Sequence, residues 1–194
     1  MIESILERKH AGMRARITAK ALITLFVVAL AVALPQMVHL VTGAPGGVKW
    51  MPMYLPVLLG GCLLGVRFGM AAGVLSPLCS FLLTSLAGNP MPVAARLPFM
   101  MAELAIMAAV TGAFSGLIAK RPLFAIPAVA LALLAGRSGF LLLVTIFQGA
   151  VPFTPAMILS QIRTGVPGLI LSVVAVPLLV TGIWFLTRKG AKND

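Results

Sequence analysis

Six apolar runs, at about 17–41, 51–65, 68–87, 97–119, 123–147 and 160–187, leave little of this chain outside them. A bilayer core about 30 Å thick is crossed by about 20 apolar residues of helix. Lipid offers no partner to an exposed backbone amide, so runs of this kind have to be helical. The second run is short. Fused with the third it would be far too long for one crossing, and Val66-Arg67-Phe68-Gly69 supplies the expected turn between them. Charged residues make up only 10% of the 194, with a mean hydropathy of +1.09. A soluble domain carries roughly 25%. The expectation is an all-α integral membrane protein with six transmembrane helices in a single membrane domain, 1–194.

Charge placement sets the expected orientation. Arg8, Lys9, Arg14, Arg16 and Lys20 precede or open the first run, and Arg188, Lys189 and Lys192 follow the last. With Arg67, Lys120 and Arg121 on the same side, eleven of the fifteen cations share the side of the termini; Lys49, Arg96, Arg137 and Arg163 do not. The positive-inside rule then puts the N-terminus and the C-terminus in the cytoplasm. Residues 1–16 read as a short amphipathic helix on the inner surface, offering Ile2, Ile5, Leu6 and Met13 to lipid. Residues 17–187 form the six-helix core and 188–194 a basic cytoplasmic tail. The net charge of +11 comes without a basic groove or stacking aromatics, which excludes nucleic acid as a partner. The first run continues toward Val41 without a small-residue cleavage site, unlike a removed signal. Cys62 and Cys79 lie inside apolar runs and read as buried thiols, with no metal spacing around them.

An ionisable side chain within a span marks a functional site unless it is paired for structure. Two qualify: Glu103, about two turns into the fourth run, and Arg137, near the middle of the fifth. Either they form a structural ion pair, or both face a cavity and at least one touches a ligand. A second group, His39, Lys49, Trp50, Tyr54, Asn89, Arg96, Gln148, Gln161 and Arg163, lies at the opposite ends of the spans from the termini. Trp50 and Tyr54 fit an interfacial belt or a ligand wall, and Met51, Met53, Met100 and Met101 fit core packing or an adaptable apolar pocket. The candidate substrate-binding residues are Trp50, Tyr54, Asn89, Glu103, Arg137 and Arg163. Arg96, Arg137 and Arg163 outnumber the single acid Glu103, and an arginine fork suits carboxylate or phosphate. The expected ligand therefore has an apolar or aromatic body, with Phe99 among the stacking surfaces, and an anionic group.

Catalysis finds little support. Gly136-Arg137-Ser138-Gly139 matches the short motif of rhomboid proteases, but a serine nucleophile needs a base, and His10 and His39 lie in no later span. No phosphate-binding loop, H-E-x-x-H or acidic cluster is present. No enzyme activity, catalytic residue, metal or cofactor is expected. Small residues recur at four-residue spacing in Ala15/Ala19, Ala29/Ala33, Gly61/Gly65, Gly69/Gly73 and Gly112/Gly116, which lets helices approach closely, within one chain or between subunits. Prolines 35, 52, 56, 77, 98, 127, 167 and 177 fall near span ends or bends.

Taken in order, Met51-Pro-Met-Tyr-Leu-Pro-Val-Leu-Leu-Gly-Gly61, the Gly65/Gly69/Gly73 series with Ser76-Pro77, Glu103-Leu-Ala, Gly136-Arg137 and Val166-Pro-Gly-Leu-Ile-Leu171 resemble a clostridial-type group of S components. These are the substrate-binding membrane subunits of energy-coupling factor (ECF) transporters, and the likeness covers nearly the whole chain. It implies six helices in the cell membrane of a prokaryote and capture of a vitamin or similar micronutrient at the outer face. It also implies docking on a transmembrane T component with two ATP-binding-cassette ATPases. By the same resemblance, small residues of the first helix (Ala15, Ala19, Ala29, Ala33) are docking candidates and Thr42 to Trp50 is a lid, whose Gly43, Gly46 and Gly47 would let it move. The chain has no vitamin-specific signature, so the substrate stays open. The competing reading is a structural or assembly membrane subunit that binds no small molecule.

Overall fold

The computed structural model describes residues 12–190. The described chain is helical from end to end: α1 (Met13–Thr42), α2 (Ala44–Trp50), α3 (Tyr54–Leu64), α4 (Val66–Leu86), α5 (Leu97–Ala113), α6 (Ser115–Lys120), α7 (Ala125–Ile146), α8 (Pro155–Thr164) and α9 (Val166–Gly190). Single 3-10 turns at Ala94–Arg96 and Pro122–Phe124 lead into α5 and α7. Six stretches are long and apolar enough to cross a bilayer: Met13–Thr42, Gly46–Leu64, Val66–Leu86, Ala94–Ala113, Pro122–Ile146 and Val166–Thr187. The protein is thus a multi-pass helical membrane protein.

The six expected spans are present, with three corrections. The turn before α4 falls one residue earlier than Val66, at Gly65, whose φ of 84° closes α3. This left-handed geometry is open to glycine at little cost, whereas Val66 and Phe68 would be strained in it. The run 160–187 is two helices, because α8 stops at Thr164 and α9 begins at Val166. The loop 42–50 is mostly the short helix α2. The N-terminal surface helix falls mainly on residues 1–11, outside the described residues, while residues 13–16 belong to the first turn of α1. In the C-terminal tail, α9 carries on to Gly190 and the remainder lies outside the described residues.

α3 is the hub. Tyr54, Pro56, Val57, Leu58, Gly60, Gly61, Cys62, Leu63 and Leu64, nine of its eleven residues, are buried. A helix apolar on every side belongs in the middle of a bundle, and α1, α4, α5, α7 and α9 all contact it. Lipid is as apolar as leucine, so the bundle is held by close packing rather than by exclusion from water. The glycines make that packing possible. A Cβ on Gly69 of α4 would lie 2.9 Å from Gly61 Cα of α3, and one on Gly73 would lie 2.7 Å from the Leu104 carbonyl oxygen of α5. The small-residue spacing of the second and third runs therefore serves packing within the chain. The α1 alanines differ: Ala15, Ala29 and Ala33 are exposed and Ala19 is half-buried. Of the two thiols, Cys62 is buried and Cys79 half-buried.

Candidate functional site

At the end of the bundle where α2 and the 87–96 loop lie, the helices leave a cavity of about 370 Å³. Its roof forms because α1 stops at Gly43 (φ 71°) and the chain turns back as α2. Met51, at φ 44°, ends α2 and redirects the chain into α3. A non-glycine residue in the left-handed region is held there by its surroundings, and two contacts do so here. Gly168 of α9 passes directly under the Trp50 carbonyl, where no Cβ would fit. The Met51 thioether accepts a contact from Arg137 Nη2 at 2.6 Å. On the opposite side the 87–96 loop is tied to α4: Ser80 Oγ donates to Met91 O (2.9 Å), and Met91 N–H donates to Thr84 Oγ1 (2.7 Å).

The floor is a charge cluster. Glu103 of α5 is 1% exposed and Arg137 of α7 is 7% exposed. Arg137 Nη1 lies 3.0 Å from Glu103 Oε1, an ionic contact whose angle is too poor for a hydrogen bond. Tyr54, from the first turn of α3, donates its hydroxyl to the same Oε1 at 2.5 Å, and the Arg137 guanidinium stands 5.0 Å from the Tyr54 ring centroid. The carboxylate thus receives a cation and a phenol, while the cation also rests on a π face. Gly136 lets α7 approach α5 here: a Cβ on it would sit 3.2 Å from the Glu103 carbonyl oxygen and collide with Met107. The structural pair and the cavity wall, set against each other by the sequence, coexist, because both ionised residues pair with each other and line the cavity.

Arg96 forms the wall beside α8. Its Nη2 donates to Gln161 Oε1 in a short contact, and its guanidinium carbon lies 5.4 Å from the Phe140 ring centroid. Its Nε is buried without a partner. Gln36 and His39 of α1 line the far side, and His39 Nδ1 approaches Gly43 O at 3.3 Å.

Of the six candidate binding residues, Tyr54, Asn89, Glu103 and Arg137 line this cavity. Trp50 does not: it is 37% exposed and stacks beside Lys49, whose Nζ is 5.6 Å from its ring. Arg163 is exposed on the last turn of α8, away from the lining. Phe99 is also elsewhere, in an edge-to-face cluster with Phe140, Phe147 and Phe153 at centroid distances of 6.4, 6.1 and 5.5 Å. Ser138 is exposed, so the short serine motif points away from the site. Gln36, Ser80 and Met91 line the cavity without having stood out in the sequence; Gln36 and Ser80 are single polar residues in apolar runs, and Met91 sits in the loop between two of them. No group of three or more potential metal ligands occurs among the described residues.

The fold and this site define a multi-pass helical membrane protein with a partly polar chamber in one half of its bundle. Compared with protein-family models, with curated proteins and with solved structures, the chain matches none of them.

Proposed function

We propose that this protein is the substrate-binding S component of an ECF-type importer, taking up a vitamin or related micronutrient in the α2-roofed cavity. The observation that supports the reading best is the chamber itself. A subunit with a purely structural role has no need of about 370 Å³ of space beside a buried charge cluster, and solute pockets are apolar clefts with a few fixed polar groups. In this reading the cavity opens outward in the cell membrane of a prokaryote, both termini are cytoplasmic, and α2 is the lid. The chain does no chemistry of its own. A T component and two ATP-binding-cassette ATPases supply the transport work. Ala15, Ala29 and Ala33 present small side chains on the outer surface of α1, with Ala19 at its edge, a geometry that would let a partner helix approach closely.

Three measurements test this. The decisive one is the thermal stability of the purified chain in lipid nanodiscs, with and without a small-molecule extract of cells. A solute that binds only the folded state raises the melting temperature, with a stabilisation that grows as the logarithm of its concentration above Kd; no response at any extract concentration removes the solute-binding reading. For topology, a single cysteine placed at the exposed Asn89 in a Cys62→Ala/Cys79→Ala background is expected to react with an impermeant maleimide added to intact cells. Reaction only after permeabilisation reverses the orientation. For docking, Ala19→Trp and Ala33→Trp are expected to lower co-purification of the T component severalfold without changing the melting temperature. Normal assembly by both removes α1 as the docking face.

A further inference from the structure

Resting on the reading of the cavity as a solute site, we propose that its ligand is a small organic monoanion, a carboxylate on an apolar or ring-bearing body, anchored by Arg96. The charges of the walls carry this. The lining includes two arginines, Arg96 and Arg137, against one carboxylate, Glu103. Arg137 is committed to Glu103 at 3.0 Å. Arg96 has no acid within ion-pair distance among the described residues; its guanidinium meets only the neutral Gln161 oxygen and the Phe140 ring. The chamber therefore holds one positive charge in excess.

Donors point the same way as charge. Arg96 Nε and Arg137 Nε are both buried with no hydrogen-bond partner, and both residues line the cavity. A buried donor left open is costly, and neither Nε opens onto the chamber as it stands, so a small turn of the guanidinium toward an acceptor there would recover that cost. The guanidinium edge is planar and suits the two oxygens of a carboxylate. Met51, Met53, Met91 and Met100 offer soft, adaptable contact to the rest of the molecule. The chamber is at the small end of ligand pockets, which run from about 300 to 1,000 Å³, so the body is one or two rings or a short chain. Glu103 is then a positioning residue: it lines the cavity but holds Arg137 and makes no bond to the anion.

The test uses the full-length chain in nanodiscs, its melting temperature read against benzoate, indole-3-acetate and hexanoate and against their primary amides. The acids are expected to stabilise the wild type and the amides are not. Arg96→Gln is expected to weaken acid binding about ten- to a hundredfold. Gln161→Glu sets a fixed carboxylate where Arg96 now meets a neutral amide. It is expected to raise the melting temperature without ligand and to abolish the response to acids. Amides that stabilise as well as acids, or acid binding unchanged in Arg96→Gln and Gln161→Glu, overturn the proposal. A neutral or cationic component of cell extract that stabilises the wild type while the acids do nothing overturns the ligand class and leaves the solute-binding reading standing. No response to acids or extract overturns both.

Discussion

Glu103→Leu is expected to destabilise the protein by about 3–5 kcal/mol, the usual cost of stranding one member of a buried ion pair. Arg137 is 7% exposed and would be left with a ring and a thioether in place of its counter-charge. The Tyr54 hydroxyl would lose its acceptor in the same step. Adding Arg137→Met to Glu103→Leu removes the stranded charge and is expected to return most of the loss, because an apolar pair of similar volume often replaces a buried ion pair at little cost. Equilibrium unfolding in mixed micelles, run as a double-mutant cycle, measures the coupling directly. Additive single changes would show that the two residues do not depend on each other. Solute binding read on the same four proteins separates the roles. If the pair serves only the fold, the double variant binds normally; if it orients Arg137 toward the cavity, the double variant is stable and binds poorly.

The second large effect belongs to the α4–α5 contact. Gly73→Leu is expected to cost at least the 1–3 kcal/mol typical of overpacking. The atoms it would strike, the Leu104 carbonyl at 2.7 and 2.8 Å and Ala105 N at 3.0 Å, are backbone and cannot rotate away. Gly116→Ala is the matching control, since nothing lies within 4 Å of its added methyl and exposed substitutions usually stay within about 0.5 kcal/mol. Similar losses from both would show that intrinsic glycine effects, rather than helix proximity, control this region.

Hydropathy made the spans legible because each needs about 20 apolar residues whatever surrounds it. The Glu103–Arg137 pair was legible for a related reason: two opposite charges alone in the spans have few ways to avoid each other. Breaks inside apolar runs were harder to see. Gly165 separates α8 from α9 directly after the polar stretch Ser160-Gln161-Ile162-Arg163-Thr164, and the Met51 side chain packed against that glycine comes from more than 100 residues earlier. Arg96 stood out only as one of several cations near span ends; its pairing with Gln161, 65 residues away, depends on how α8 folds back. Trp50 and Phe99 show the reverse error. Aromatic rings near a proposed site suggest stacking on a ligand, yet one packs beside Lys49 and the other closes a ring cluster. Composition says that such rings will find partners but not which ones.

The shortness of α3 has a consequence for the membrane itself. At 1.5 Å per residue its eleven residues reach about 16 Å, roughly half of a 30 Å hydrocarbon core. α3 alone is thus too short to cross, and the Gly46–Leu64 stretch reaches a full span only with the 51–53 turn and most of the seven-residue α2 beside the chamber. A solute in the chamber would pack against that turn, which lines it. On the solute-binding reading proposed above, filling the site would alter how completely the bundle spans the bilayer. The same solute should make the protein less sensitive to bilayer thickness, which stability measured in short- and long-chain lipids can read.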